Sequence, residues 1–287
     1  MLRLMKYKLW FLTASILVIL PGMVFLLMGG LKLGIDFTGG ALLEYKFEQS
    51  VNQENLKSFG QVVQSGENTY IIRTSAVSHD DLQNLKQQIT EKIGTFEVRR
   101  EENVGPTIGK ELGQKALIAL VISWVTIVLY ITFAFRKVPK PTSSFRFGLS
   151  AIVALIHDVL LLVGAFAIFG YFWHVEIDTL FVTALLTVVG FSVHDTIVVF
   201  DRVRENLPKN LGKKFEEVVD ISISQTLARS LNTSLTIVFV LTALLLFGGV
   251  TIQWFVVALT IGIVSGTYSS IFNAAALLTL WEEKLGH

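Results

Sequence analysis

The chain has no cysteine among its 287 residues. That excludes thiolate metal sites, cysteine nucleophiles and disulfide bonds, and it leaves the redox compartment open. Charge of one sign is lacking too: 24 Lys and Arg stand against 23 Asp and Glu, a net of +1. Without a basic excess, nothing points to nucleic acid. Charged residues make up only 16% of the chain against 52% hydrophobic, and mean hydropathy is +0.59. That balance suits a polytopic membrane protein better than a soluble domain.

What is present is a series of long apolar runs. A hydrocarbon core needs ~20 apolar residues per helix, and six stretches qualify: 9–28, 116–135, 147–171, 179–200, 231–247 and 250–280. The last is long enough to tilt or to project beyond the core. The first follows Arg3, Lys6 and Lys8, as a signal peptide would. Its apolar run exceeds the usual h-region of ~7–15 residues and no A-x-A site follows, so it reads as a retained anchor. Lys and Arg gather at the N-terminus, in 136–146 and in 202–214, whereas 171–178 and 248–251 hold none. The positive-inside rule therefore predicts cytoplasmic termini and an extracytoplasmic segment 31–113. A five-helix bundle over 114–282 follows, with cytoplasmic loops at 136–146 and 201–228.

Segment 31–113 has the patterning of a small folded domain. Strand alternation over 41–48 is followed by helix 52–59, then strands 61–64 and 69–74 around a turn at 65–68. Ser78 caps a helix over 78–93, with Asp81 three residues on and Leu82, Leu85, Ile89 and Ile93 on one face. A strand over 95–101 closes a βαββαβ order, that of a ferredoxin-like domain. It holds no His/Asp/Ser arrangement, metal spacing or phosphate loop, so a scaffold or protein-binding role is expected.

The residues with chemistry lie in the apolar runs. Asp195 interrupts 179–200. An ionised Asp at a helix centre costs ~2.5–3.5 kcal/mol, so such residues face a bundle interior or a wet cavity and carry ions or protons. Arg229, opening the next segment, stands at similar depth and within reach of a pairing. One reading is a static ion pair fixing two helices. The other is a titratable carboxylate whose proton affinity changes as Arg229 approaches or withdraws. His157 and Asp158 lie ~15 Å into the third segment at 1.5 Å per residue. With His194 preceding Asp195, two His-Asp pairs on adjacent segments suggest a hydrated polar interior. Ser192, Thr196 and Thr233 extend this candidate ion pathway, along with Gln225, Thr226, Ser230, Asn232 and Ser234, though each alone could serve as helix-packing glue. Gly262 and Gly266 form a G-x-x-x-G expected to be an internal assembly face. An intramembrane aspartyl protease using Asp158 and Asp195 would lack a Gly-x-Gly-Asp context, and Arg229 would oppose the shared proton of such a dyad.

Six segments in order resemble the SecF family, the smaller membrane subunits of the bacterial SecD–SecF accessory complex of the Sec translocase. They are 34–40 (GIDFTGG), 104–112 (VGPTIGKEL), 154–159 (ALIHDV), 193–206 (VHDTIVVFDRVREN), 225–234 (QTLARSLNTS) and 266–272 (GTYSSIF). The resemblance covers nearly the whole chain. It implies half of a resistance–nodulation–division bundle: six transmembrane helices that pair with six from SecD, plus one small α+β extracytoplasmic domain. It also implies that Asp195 is the ion-coupling carboxylate with Arg229 as its partner, and that Gly34, Asp36, Gly39 and Gly40 form a structural motif. The partners implied are SecD, as a separate or fused chain, the SecYEG translocon, a preprotein, and protons or sodium ions, with no cofactor and no metal. The location implied is the bacterial cytoplasmic membrane, and the role is ion-driven promotion of late export steps rather than enzymatic catalysis. One departure stands out: the residue before the aspartate is commonly Asn in the family and is His194 here. A half-unit of a drug or lipid exporter is the competing reading; it would have to dimerise.

Overall fold

The computed structural model describes residues 3–75, 78–136, 138–139 and 142–284. Lys137, Lys140 and Pro141, within the expected loop 136–146, lie outside the described residues. The chain divides into a helical unit, 1–32 with 119–287, and a small unit, 33–118.

The small unit is a four-stranded antiparallel sheet, formed by β1 (Gly40–Phe47), β2 (Gln61–Gly66), β3 (Thr69–Thr74) and β4 (Phe96–Val104), in the order β2-β3-β1-β4. That is the split βαβ arrangement expected from the sequence. Alternation places Ala41, Leu43, Tyr45 and Phe47 in one buried cluster with Tyr70 and Ile72. The long helix α1 of this unit (His79–Lys92) adds Leu82 and Ile89 to it, with Leu85 and Ile93 packed alongside. Its start is fixed by Ser78, whose hydroxyl accepts from Asp81 N at 3.1 Å. The turn at Asn68 has φ +55°, a left-handed conformation that Asn tolerates.

The 34–40 motif has a steric explanation. Gly39 and Gly40 have φ of +75° and +128°, which disfavours any side chain. A Cβ on Gly39 would lie 2.8 Å from Pro106 Cα, and one on Gly109 would lie 2.9 Å from Gly39 N. The glycine pair thus lets the start of β1 run against the start of the helix Pro106–Ala134, which carries the chain out of the small unit.

Among the described residues six helices are long and apolar enough to span a membrane, in chain order H1 (Lys8–Leu27), H2 (Pro106–Ala134), H3 (Ser144–Trp173), H4 (Thr179–Asn206), H5 (Phe215–Phe247) and H6 (Val250–Tyr268). H6 continues through a π-helical turn, Ser269–Ala274, into a last helix, Ala275–Lys284. Several helices outrun their apolar stretches. H4 continues to Asn206 and H5 starts at Phe215, so only 207–214 of the expected loop 201–228 is non-helical. The reason is amphipathicity: Val203, Phe215, Val218, Val219 and Ile223 are buried although charged residues intervene.

Small residues set the helix spacing. A Cβ on Gly22 of H1 would meet Gly164 Cα of H3 at 2.6 Å, and one on Gly262 of H6 would meet Val188 Cγ2 of H4 at 2.1 Å. Helices this close, backbone to backbone at Gly22 and Gly164 and side chain to backbone at Val188 and Gly262, gain van der Waals contact without help from the hydrophobic effect, which is absent in lipid. Two carboxylates secure the helix ends that carry the basic residues. Asp220 accepts from the backbone N–H of Leu4 and Met5, each at 2.9 Å, and the fully buried Glu282 pairs with Arg146 at 2.7 Å. Lys8 bridges Glu216 and Glu283 at 3.3 and 2.5 Å.

Candidate ion-coupling site

Asp158 sits on H3 with no exposed surface. Its Oδ2 accepts from Ser192 Oγ of H4 and from Ser269 Oγ of the π turn, both at 2.6 Å. Its Oδ1 accepts from Ser265 Oγ of H6 at 2.8 Å and lies 3.1 Å from His157 Nδ1. Four contacts fill the roughly four acceptor positions a carboxylate offers. The glycine face of H6 makes this possible. A Cβ on Gly266 would lie 3.0 Å from Ser192 Cβ, so the absence of a side chain there lets Ser192, Ser265 and Ser269 converge. The expectation that Gly262 and Gly266 mark an internal face agrees with this packing.

Asp195 lies one turn from Ser192 on H4 and is only 2% exposed. Its Oδ2 is buried and has no hydrogen-bond partner among the described residues. Thr196, next to it, turns toward the π segment: its Oγ1 is 2.8 Å from Ser270 Oγ and 3.1 Å from the Ser192 carbonyl, to which Ser270 also donates at 2.9 Å. The two aspartates make no hydrogen bond to each other among the described residues, which gives no support to a shared-proton dyad.

Arg229 is exposed on H5. Among the described residues it forms no ion pair with Asp195. It lines a cleft of about 330 Å³ with Asp201, Arg202, Glu205, Gln225 and Thr226. In that cleft Arg202 donates to Gln225 Oε1 at 2.6 Å and pairs with Glu205 at 2.8 Å. Thr233 is exposed as well, and its hydroxyl donates to the Arg229 carbonyl at 3.0 Å. His194 is exposed, whereas His157 is nine-tenths buried. The two His-Asp pairs therefore do not share one interior: Asp158 and Asp195 face inward, and of the histidines only His157 does.

Sequence reasoning missed Ser265, Ser269 and Ser270 as members of this network, having read their segment as packing alone. Hydroxyls at positions 265 and 269, spaced i, i+4 beside the glycine pair, were the available signal. Ser234 and Thr267 make a further hydroxyl contact, at 2.5 Å, between H5 and H6. Among the described residues no group of three or more His, Cys, Asp and Glu could hold a metal ion.

Comparison with known proteins places this geometry. Residues 84–284 match the family described as protein export membrane protein SecD/SecF, C-terminal, and residues 24–51 match the SecD/SecF GG motif, a span that includes Gly34, Asp36, Gly39 and Gly40. Protein translocase subunit SecF of Thermobaculum terrenum is 46% identical, covering 99% of this chain and 95% of its own. The SecF of Anaerolinea thermophila is 40% identical over 98% and 94%. The crystal structure of SecDF, a translocon-associated membrane protein from Thermus, superposes with a TM-score of 0.85 at 31% identity. That match covers 97% of this chain but only 38% of the longer SecDF chain. On fold, motif and sequence together, this chain belongs to the SecD/SecF family of protein export membrane proteins.

Proposed function

We propose that the chain works as the smaller membrane subunit of a SecD–SecF complex, beside the SecYEG translocon in the bacterial cytoplasmic membrane. There it uses the proton or sodium motive force to promote late steps of preprotein export. Both termini are then cytoplasmic and residues 31–113 extracytoplasmic, consistent with the Lys/Arg asymmetry of the connections. The observation that carries this reading is Asp195: a buried carboxyl in a membrane-spanning helix with an oxygen that nothing in the described chain satisfies. Such a group is costly unless it serves an ion or a partner. Arg229 waits in the adjoining cleft as the counter-charge, and the exposed faces of H2 and H5 are available to a second half-bundle. A membrane potential supplies about 2.3 kcal/mol per charge per 100 mV, enough to bias a conformational equilibrium tens-fold for each ion that crosses.

Proteoliposomes containing this chain with its SecD partner and SecYEG provide the test. Asp195→Asn keeps size and hydrogen-bonding capacity but removes the titratable site. It abolishes stimulation of translocation by an imposed gradient and leaves ATP-driven insertion in place. Arg229→Ala fails too, by removing the counter-charge. The double variant Asp195→Asn with Arg229→Gln separates the two roles: it remains inactive if Asp195 carries the ion, and regains activity if the pair is only structural. A fully active double variant would defeat the coupling reading.

A further inference from the structure

The residues that join H4 to H5, 207–214 (LPKNLGKK), form an ordered connection. Asn210 Nδ2 donates to the Asn206 carbonyl at 2.9 Å and Lys213 Nζ to Asn210 Oδ1 at 3.0 Å. Asn210 N and Lys213 N close successive turns on the Leu207 and Asn210 carbonyls. Both ends are pinned: Phe215 is buried in the core of the helical unit, and Leu207 packs against that core. Between them Leu211 stands out 87% exposed, and Lys209, Lys213 and Lys214 around it are exposed as well. The connection holds no acidic residue. Of the carboxylates flanking it, Glu205 pairs with Arg202, Glu216 pairs with Lys8, and Glu217 is exposed.

The depth of this loop follows from a contact of H1. Lys8 opens H1 and lies 3.3 Å from Glu216, in the first turn of H5. The 20 residues of H1 rise about 30 Å at 1.5 Å per residue, the thickness of a hydrocarbon core. Lys8 therefore marks one edge of that core, and the loop that runs into Phe215 lies at the level of the lipid headgroups. An ordered loop at that level, with one bare leucine among lysines, has the make-up of an interfacial anchor. Its cations meet anionic headgroups and its apolar side chain enters the acyl boundary. A protein partner fits less well: a stable interface buries ~800 Å² per side around several clustered anchors, and this loop offers one.

We propose that 207–214 docks on anionic phospholipid, with Leu211 inserted beneath headgroups whose phosphates meet Lys209, Lys213 and Lys214. The loop fastens the H4–H5 hairpin to the membrane surface and makes it responsive to the anionic lipid content of the bilayer. This needs only that H4 and H5 span the bilayer, and is independent of any ion carried at Asp195.

The test uses the full chain, labelled and then joined to its partner subunit, in nanodiscs of phosphatidylcholine alone or mixed with phosphatidylglycerol. Because the chain has no cysteine, Leu211→Cys gives a single attachment point for an apolar nitroxide. Its collision rates with dissolved oxygen and with a neutral, water-soluble nickel chelate report its depth. Adding phosphatidylglycerol lowers the nickel rate about fivefold or more, the scale of one lysine at an anionic surface, and raises the oxygen rate. High salt screens the surface and returns both rates toward their phosphatidylcholine values. Lys213→Gln with Lys214→Gln in the labelled chain does the same without added salt. Equal rates in the two lipids overturn the proposal. So does protection from nickel that is already complete in phosphatidylcholine and survives salt, which is the mark of a protein covering the loop.

Discussion

Ser269 Oγ stands 2.6 Å from Asp158 Oδ2 across 111 positions of sequence. That contact ties the π-helical turn to H3, and Ser192 ties H4 to the same oxygen. Asp158 therefore holds three helices together, whereas Asp195, one turn along from Ser192, has an oxygen without a hydrogen-bond partner among the described residues.

The two aspartates should respond oppositely to the same substitution. Asp158→Asn places an amide donor where hydroxyls already donate, and should cost ~2–4 kcal/mol through lost charge-assisted bonds and unpaired buried groups. Asp195→Asn should change stability by less than about 1 kcal/mol, since Oδ2 gives up no bond. Thermal unfolding midpoints of the two variants in detergent check this, and equal losses would contradict it.

Close backbone contact makes a second contrast. Gly164→Val should destabilise by at least ~1–3 kcal/mol, because its Cβ would lie 2.9 Å from Gly22 Cα in a place that cannot give way. Gly190→Ala on H4 should be neutral or stabilising by ~0.5–1 kcal/mol, since among the described residues nothing beyond its own helix backbone and chain neighbours lies within 4 Å of the added methyl. Folded yield and melting temperature of the purified variants distinguish the two.

Tyr45 gives the small unit an alkaline limit. Burial, reinforced by the nearby Glu101 carboxylate, pushes its phenol well above the ordinary tyrosine range. The unfolded chain gives up that proton near pH ~10 while the folded chain retains it. Tyr45 therefore contributes stability that is complete below pH ~10 and falls as pH rises further. Its hydroxyl is buried without a partner among the described residues, so Tyr45→Phe should cost little at neutral pH and flatten the alkaline decline. Ultraviolet titration of tyrosine with hydrogen exchange of the sheet amides measures both; an unchanged alkaline slope in Tyr45→Phe would count against this account.

The topology is open to chemical labelling. A cysteine at Ser78 should react with an impermeant thiol reagent on intact spheroplasts, and one at Lys209 only after permeabilisation. The chain has no cysteine of its own to interfere. The reverse pattern would invert the orientation.

Much of this architecture was legible as sequence because membrane helices need apolar length and the small unit needs alternation. Helix ends were less so. A hydropathy run stops at Asp201, but the helix continues to Asn206 because Val203 still faces the core. Within the site, Asp158 and Asp195 stood out as polar residues in apolar runs. The roles of their histidine neighbours did not, because consecutive helical residues point about 100° apart and sequence alone does not say which way each helix is turned. Ser270 was hidden for another reason: it lies in the π turn, which changes the periodicity by which a face is read.

That turn has a consequence for motion. Ser269–Ala274 winds with i→i+5 bonds inside an otherwise 3.6-residue helix, so it stores one surplus residue. A surplus residue can migrate along a helix as a defect, each step exchanging one backbone bond for another while both ends stay docked. Migration past Ser269 would rotate the hydroxyls presented to Asp158 and Thr196 by about 100° per residue without lengthening the span or dislodging Glu282 from Arg146. Such a rewinding would change what the last helix offers the interior with no piston stroke through the bilayer.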